Sequence, residues 1–82
     1  MKRHADLDDK TVRKLIRQGS ILLGGNLRLK IYGTLKCRSG KRMKRINRVF
    51  FESLIEAKAK GYRPCGHCMK GVYQEWIYST SL

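Results

Sequence analysis

Apolar residues recur at Val12, Leu15 and Ile16, the i, i+3, i+4 spacing that lays one stripe along a helix. Asp8 or Asp9 can cap this helix at its start, and Gly19 follows as a stop signal. Lys10, Arg13, Lys14 and Arg17 then fall mostly on its outer, solvated face. After Ile21-Leu22-Leu23 and Gly24-Gly25-Asn26 the period changes. Leu27, Leu29 and Ile31 alternate with Arg28, Lys30 and Tyr32, a period of two. The pattern predicts a β-hairpin with its turn at Gly24-Gly25-Asn26. Its second strand runs towards Leu35 and delivers Cys37 at its end.

The stretch from Lys36 to Arg48 has no clean period, and Ser39-Gly40 supplies a turn inside it, so it reads as a loop. Val49-Phe50-Phe51 reads as a short buried strand entered from Asn47. Ser53-Leu54-Ile55-Glu56 has the spacing of a capping box, so a short helix should run through Ala57 and Ala59 to Gly61. Met69, Val72, Tyr73, Trp76 and Ile77 then stand at i+3 and i+4 spacings. They predict a last helix that starts just after Cys65 and closes the core with its apolar stripe. The expected fold class is α+β: one small domain over residues 1–82. An N-terminal helix, a short β-hairpin plus a third strand, and two further helices surround one zinc site.

Composition explains why a metal is wanted. A chain of 82 residues builds one marginal core, and small scaffolds recruit a disulfide, a metal or a partner. The chain is 41% hydrophobic with a single proline, which suits a folded domain. No apolar run approaches the roughly 20 residues of a membrane span. The opening Met-Lys-Arg-His-Ala-Asp lacks the apolar core of a secretory signal, so a reducing, cytoplasmic location is expected. Three cysteines, an odd number, also count against a secreted disulfide framework.

Cys65-Gly66-His67-Cys68 is half of a zinc site by spacing. Two thiolates three residues apart reach one tetrahedral ion, and the glycine lets the backbone turn around it. A helix beginning after Cys65 would add N–H donors that favour thiolate over thiol, and Arg63 and Lys70 push the same way. Cys37 would be the third thiolate, clipping the hairpin to the last helix. The fourth ligand stays open among His67, His4, water and a carboxylate such as Asp6. A thioredoxin-like redox pair needs a βαβ context, and the pattern shows none. Taken alone, Cys37 could equally be a small buried hydrophobe.

The net charge of +13 points to a polyanionic partner. Seven basic residues fall within the 13 positions from 36 to 48: Lys36, Arg38, Lys41, Arg42, Lys44, Arg45 and Arg48. They are the candidate nucleic-acid contacts, with the arginines able to grip phosphate in bidentate fashion. No aromatic residue is interleaved with them, so base stacking of the single-strand type is not indicated there. The bland alternative is a solvated loop that keeps the protein in solution.

Phe50-Phe51, Glu56-Ala57 and Gly61-Tyr62-Arg63-Pro64-Cys65-x-x-Cys68 together resemble the Ada-type zinc-binding domain. That domain forms the N-terminal part of bacterial methylphosphotriester-DNA methyltransferases. The similarity runs from about Gly33 to Met69. It implies a small α/β domain holding one zinc by four cysteines, a C-x-x-x-C pair and a later C-x-x-C. One cysteine of the first pair takes a methyl group from a DNA phosphotriester, and basic surroundings bind the DNA. By the resemblance, Cys65 and Cys68 match the second pair and Cys37 one member of the first. Four residues after Cys37 stands Lys41, and four before it stands Gly33, so one family cysteine is absent. Counting from Gly33 makes Cys37 the methyl acceptor; counting back from Asn47 makes it the other member. The resemblance thus implies a stand-alone relative that binds zinc and DNA and differs from the repair methyltransferases. A methyl acceptor at Cys37, and a structural-zinc protein for RNA or a protein partner, are the alternatives.

Overall fold

Asp8 opens the first helix, α1 (Asp9–Arg17), by accepting a 2.7 Å hydrogen bond from the backbone N–H of Thr11. Hydrogen bonding from the Thr11 side chain, and then from its backbone N–H, holds the Asp8 carboxyl below its ordinary pKa. Gly19, at φ +75°, ends the helix in a left-handed conformation that only glycine adopts readily. Val12 is buried, but Ile16 is 39% exposed, so the expected stripe is narrower than its spacing suggests. Lys10, Arg13, Lys14 and Arg17 are all exposed. The structure, a computed structural model, describes residues 1–37 and 42–80. The turn expected at Ser39-Gly40 lies outside the described residues.

The chain is α+β. Three α-helices pack with a sheet of five strands, counted among the described residues: β1 (Lys2–Arg3), β2 (Leu23–Asn26), β3 (Ile31–Thr34), β4 (Arg48–Phe51) and β5 (Arg63–Pro64). Their order is β1-β4-β2-β3-β5, antiparallel throughout except where β5 joins β3 in parallel. The hairpin β2–β3 is present, but its turn is displaced. Gly24-Gly25-Asn26 are strand residues, and the chain reverses over 27–30. Asn26 Oδ1 accepts from the N–H groups of Arg28 and Leu29, each at 3.0 Å, and Lys30 takes φ +58°. The glycines serve close approach instead. A Cβ on Gly25 would lie 2.8 Å from Phe51 Cε2 and 3.1 Å from the carbonyl oxygen of Ile31. The shifted turn also changes which residues go inside: Tyr32 is fully buried, while Leu29 is 61% exposed.

Strand periodicity sorts the sheet into two faces. On one, Tyr32, Val49 and Phe51 pack with Ala57 and Tyr62, the rings of Phe51 and Tyr62 meeting edge to face at 4.8 Å. Ala57 belongs to α2 (Leu54–Ala59), capped by Ser53 Oγ on the Glu56 N–H at 3.1 Å and stopped by Gly61 at φ +83°. Glu56 Oε1 returns the bond to the N–H of Glu52, one residue before the position a capping box uses. On the other face, Phe50 packs with Val12 and Ile21 beneath α1. Register places Gly24, Asn26, Ile31, Gly33, Arg48 and Arg63 on this same face.

The last helix, α3 (Lys70–Thr80), starts later than expected, because residues 65–68 form a turn closed by Met69 N–H on the Cys65 carbonyl at 3.1 Å. It does not close the core. Val72, Tyr73 and Trp76 are half-buried and Ile77 is 37% exposed. Sequence reading also missed β1 and β5, whose two residues each are too short to show a period.

Gly25→Ala should destabilise the protein by about 1–3 kcal/mol, because a Cβ there meets ring and backbone. Gly24→Ala, where a Cβ finds nothing nearer than 3.8 Å, should leave stability unchanged or raise it by up to about 1 kcal/mol. Chemical denaturation of the zinc-loaded protein measures both. Equal effects would contradict the placement of the two glycines in β2.

Candidate metal centre

Two segments converge at the end of β3. Cys37 follows β3, its N–H donating to the Thr34 carbonyl at 3.2 Å. Cys65 follows β5, its N–H donating to the Tyr32 carbonyl at 2.8 Å, which continues the parallel ladder. Cys68 lies one turn further on. The three sulfurs lie within 4.8 Å of one another, and Cys37 Sγ and Cys65 Sγ are 3.9 Å apart. Two thiolates on one tetrahedral zinc, each about 2.3 Å from it, stand about 3.8 Å apart. The cluster therefore fits the ion. No disulfide links the three cysteines.

Backbone donors prepare the sulfurs. Thr34 N–H points at Cys68 Sγ at 3.3 Å, and His67 N–H at Cys65 Sγ at 3.4 Å. Such bonds favour thiolate. They come from β3 and from the cysteine turn, since α3 begins only at Lys70; this corrects the expectation that the helix start supplies them. Burial acts in the opposite sense and pushes the Cys68 thiol above its ordinary pKa. Gly33 makes room for the cluster: a Cβ there would lie 2.7 Å from Cys68 Sγ and 3.2 Å from Cys65 Cβ. That requirement was not readable from the sequence, although Gly33 stands four residues before Cys37.

The other candidate ligands stay apart from the sulfurs. Every His, Cys, Asp and Glu of the chain is described, and only the three cysteines gather in this way. His67 is exposed, and its ring is not among the grouped ligand atoms. His4 follows β1 at the opposite edge of the sheet, packed on Phe50 at 5.3 Å with Nε2 3.4 Å from Asp9. Asp6 is exposed beside it.

The seven basic candidates separate as well. Lys36, Arg42 and Lys44 are exposed. Arg45 is turned to structure, donating to the carbonyls of His4 and Leu7 and to Asp9. Arg48 is half-buried in β4 with its guanidinium 5.3 Å from the Phe50 ring, and burial pulls its pKa down. Arg38 and Lys41 lie outside the described residues. A cavity of about 550 Å³ adjoins the cluster, bordered by Cys37, Cys65, Gly33, Arg48 and Arg63.

The family model for the metal binding domain of Ada matches residues 17–70, from the last residue of α1 to the first of α3. The chain belongs to the Ada zinc-binding family. Membership agrees with the three-sulfur cluster, and zinc is the metal that both support. The match takes in the β2–β3 hairpin as well as the cysteine block. No curated protein and no solved structure matches the chain. Among the described residues, no helix is long and apolar enough to cross a membrane.

Gly33→Ala keeps all three cysteines yet should weaken zinc binding by about 10–100-fold, because the new methyl displaces Cys68 Sγ. Competition with a chromophoric chelator measures this; undiminished affinity would show that Gly33 does not shape the cluster. Zinc affinity should also rise with pH. The raised Cys68 thiol holds its proton to higher pH, and that proton must leave before the sulfur ligates. Proton release on zinc addition, followed in weakly buffered solution, checks the sign.

Proposed function

We propose that this is a zinc-stabilised module, one domain over residues 1–82, that binds DNA through its phosphate backbone. Cys37, Cys65 and Cys68 hold the zinc, which ties the end of β3 to the turn before α3 and so supplies the cross-link a small core needs. Zinc contributes no step here beyond that cross-link. The observation that carries the DNA reading is charge: +13 over 82 residues, with Lys36, Arg42 and Lys44 exposed on either side of Cys37 in sequence. Each cation that neutralises a phosphate releases counterions, and α1 adds Lys10, Arg13, Lys14 and Arg17 to the exposed positive surface. Arg45 contributes less, since the fold already uses its guanidinium. A reducing, cytoplasmic setting suits cysteines that hold a metal and form no disulfide.

A second reading rests on Cys37, whose position on the cavity beside Arg48 and Arg63 suits attack on a phosphotriester methyl. The sulfur would take the carbon, the methyl–oxygen bond would break, and the phosphodiester anion would leave. Intact mass after incubation with methylphosphotriester DNA distinguishes it: one added methyl on Cys37 supports this reading, an unchanged mass removes it.

For the leading reading, fluorescence anisotropy with duplex DNA should show affinity falling linearly on a log–log plot against salt. A contact using about five phosphates gives a slope near −4.5. Lys36→Gln, Arg42→Gln and Lys44→Gln should each flatten the slope by about 1. A folded, zinc-loaded protein with no salt-dependent affinity for duplex DNA would sink the proposal. Tighter binding to structured RNA at matched salt would move the assignment to RNA.

A further inference from the structure

The cavity beside the cysteines has a chemistry that the zinc cross-link and phosphate contacts of the leading reading do not use. Its floor is one face of the sheet, where Gly24 and Gly33 stand opposite each other on β2 and β3. Without side chains at these positions, nothing on the floor separates the groove from the sulfurs of Cys37 and Cys65 at its end. Its volume of about 550 Å³ suits a small molecule.

Two arginines border the groove. Arg48 lies half-buried against Phe50. Arg63 is stacked over Tyr73 and Trp76, 5.7 Å from each ring, and donates to the Pro64 carbonyl at 3.3 Å. All six acidic residues of the chain are described, and none borders the cavity. Two partly desolvated cations without a facing carboxylate make a site for a small anion.

The donor set at the end of the groove asks for something different. Zinc sites take four ligands, and the chain brings only three together among all its His, Cys, Asp and Glu side chains. A fourth donor that suits a three-thiolate set is another soft one. We propose that the groove binds a small thiol that also carries a carboxylate. Its sulfur completes the donor set of Cys37, Cys65 and Cys68, and its carboxylate lies between Arg48 and Arg63. The thiol binds as thiolate and its proton passes to solvent. This inference rests on the ligand assignment proposed above and is independent of DNA binding.

The cobalt-substituted protein tests it, because thiolate ligation to cobalt is read directly in the visible spectrum. The probes are 3-mercaptopropionate, ethanethiol and propionate. The expected result is a saturable change in the cobalt d–d bands with 3-mercaptopropionate, at about tenfold lower concentration than with ethanethiol, and none with propionate. Arg48→Gln and Arg63→Gln should each narrow the tenfold preference while leaving cobalt uptake unchanged. Gly24→Leu puts a side chain on the floor, its Cβ meeting nothing closer than 3.8 Å, and should block both thiols. Cobalt bound through sulfur yet silent to both thiols would overturn this inference alone. So would a preference that survives both arginine variants. A protein that takes up no cobalt would overturn it together with the metal assignment.

Discussion

The sulfur of Cys68 lies so close to the backbone of β3 at Gly33 that no side chain fits between them. Much else depends on that approach. It lets the Thr34 N–H reach the sulfur, and it brings the turn at residues 65–68 against the sheet beside Cys37. It also leaves α3 at the rim, against β5 and with Tyr73 beside Gly66, and none of its described residues is fully buried. Zinc and sheet are thus one structural unit. Removing the metal would leave three sulfurs crowded at a strand end with only hydrogen bonds to hold them.

The sheet divides its labour by face. One face carries the larger core under α2, with Tyr32, Val49 and Phe51 all fully buried. The other is covered by α1 only around Phe50; beyond that it carries Gly24 and Gly33 beside Asn26 and Ile31, edged with Arg48 and Arg63. A glycine-floored face adds little hydrophobic stabilisation in a protein this small. The cost is consistent with keeping a groove open next to the cysteines. α1 and the segment from Arg42 to Arg45 expose their lysines and arginines to solvent.

Local signals were legible where one residue does one job. The Asp8 and Ser53 caps, the stops at Gly19 and Gly61, and the short strand at Val49-Phe50-Phe51 all stand as their patterns imply. The misreadings share a cause. Gly24-Gly25-Asn26 looks like a turn because glycine is permissive, but at Gly25 glycine is needed for the ring of Phe51, which is distant in sequence. The apolar spacing of α3 looks like a core stripe, but the turn at residues 65–68 delays the helix and holds it at the rim. Arg45 and Arg48 look like surface charge, yet one bonds backbone carbonyls and the other lies half-buried on Phe50.

The three thiolates and the family resemblance were determined by the sequence alone, because a C-x-x-C pair with a third cysteine upstream is a statement about residue type and spacing. That chemistry survives any small error in placing a strand. That neither histidine ring joins the three sulfurs, what Gly33 does, and whether an arginine faces solvent were decided only by the tertiary structure. Each depends on which strands become neighbours. β3 comes to lie beside β5, and His4 goes with β1 to the far edge. Spacing along a chain measures reach, but only strand order and register say what stands within it.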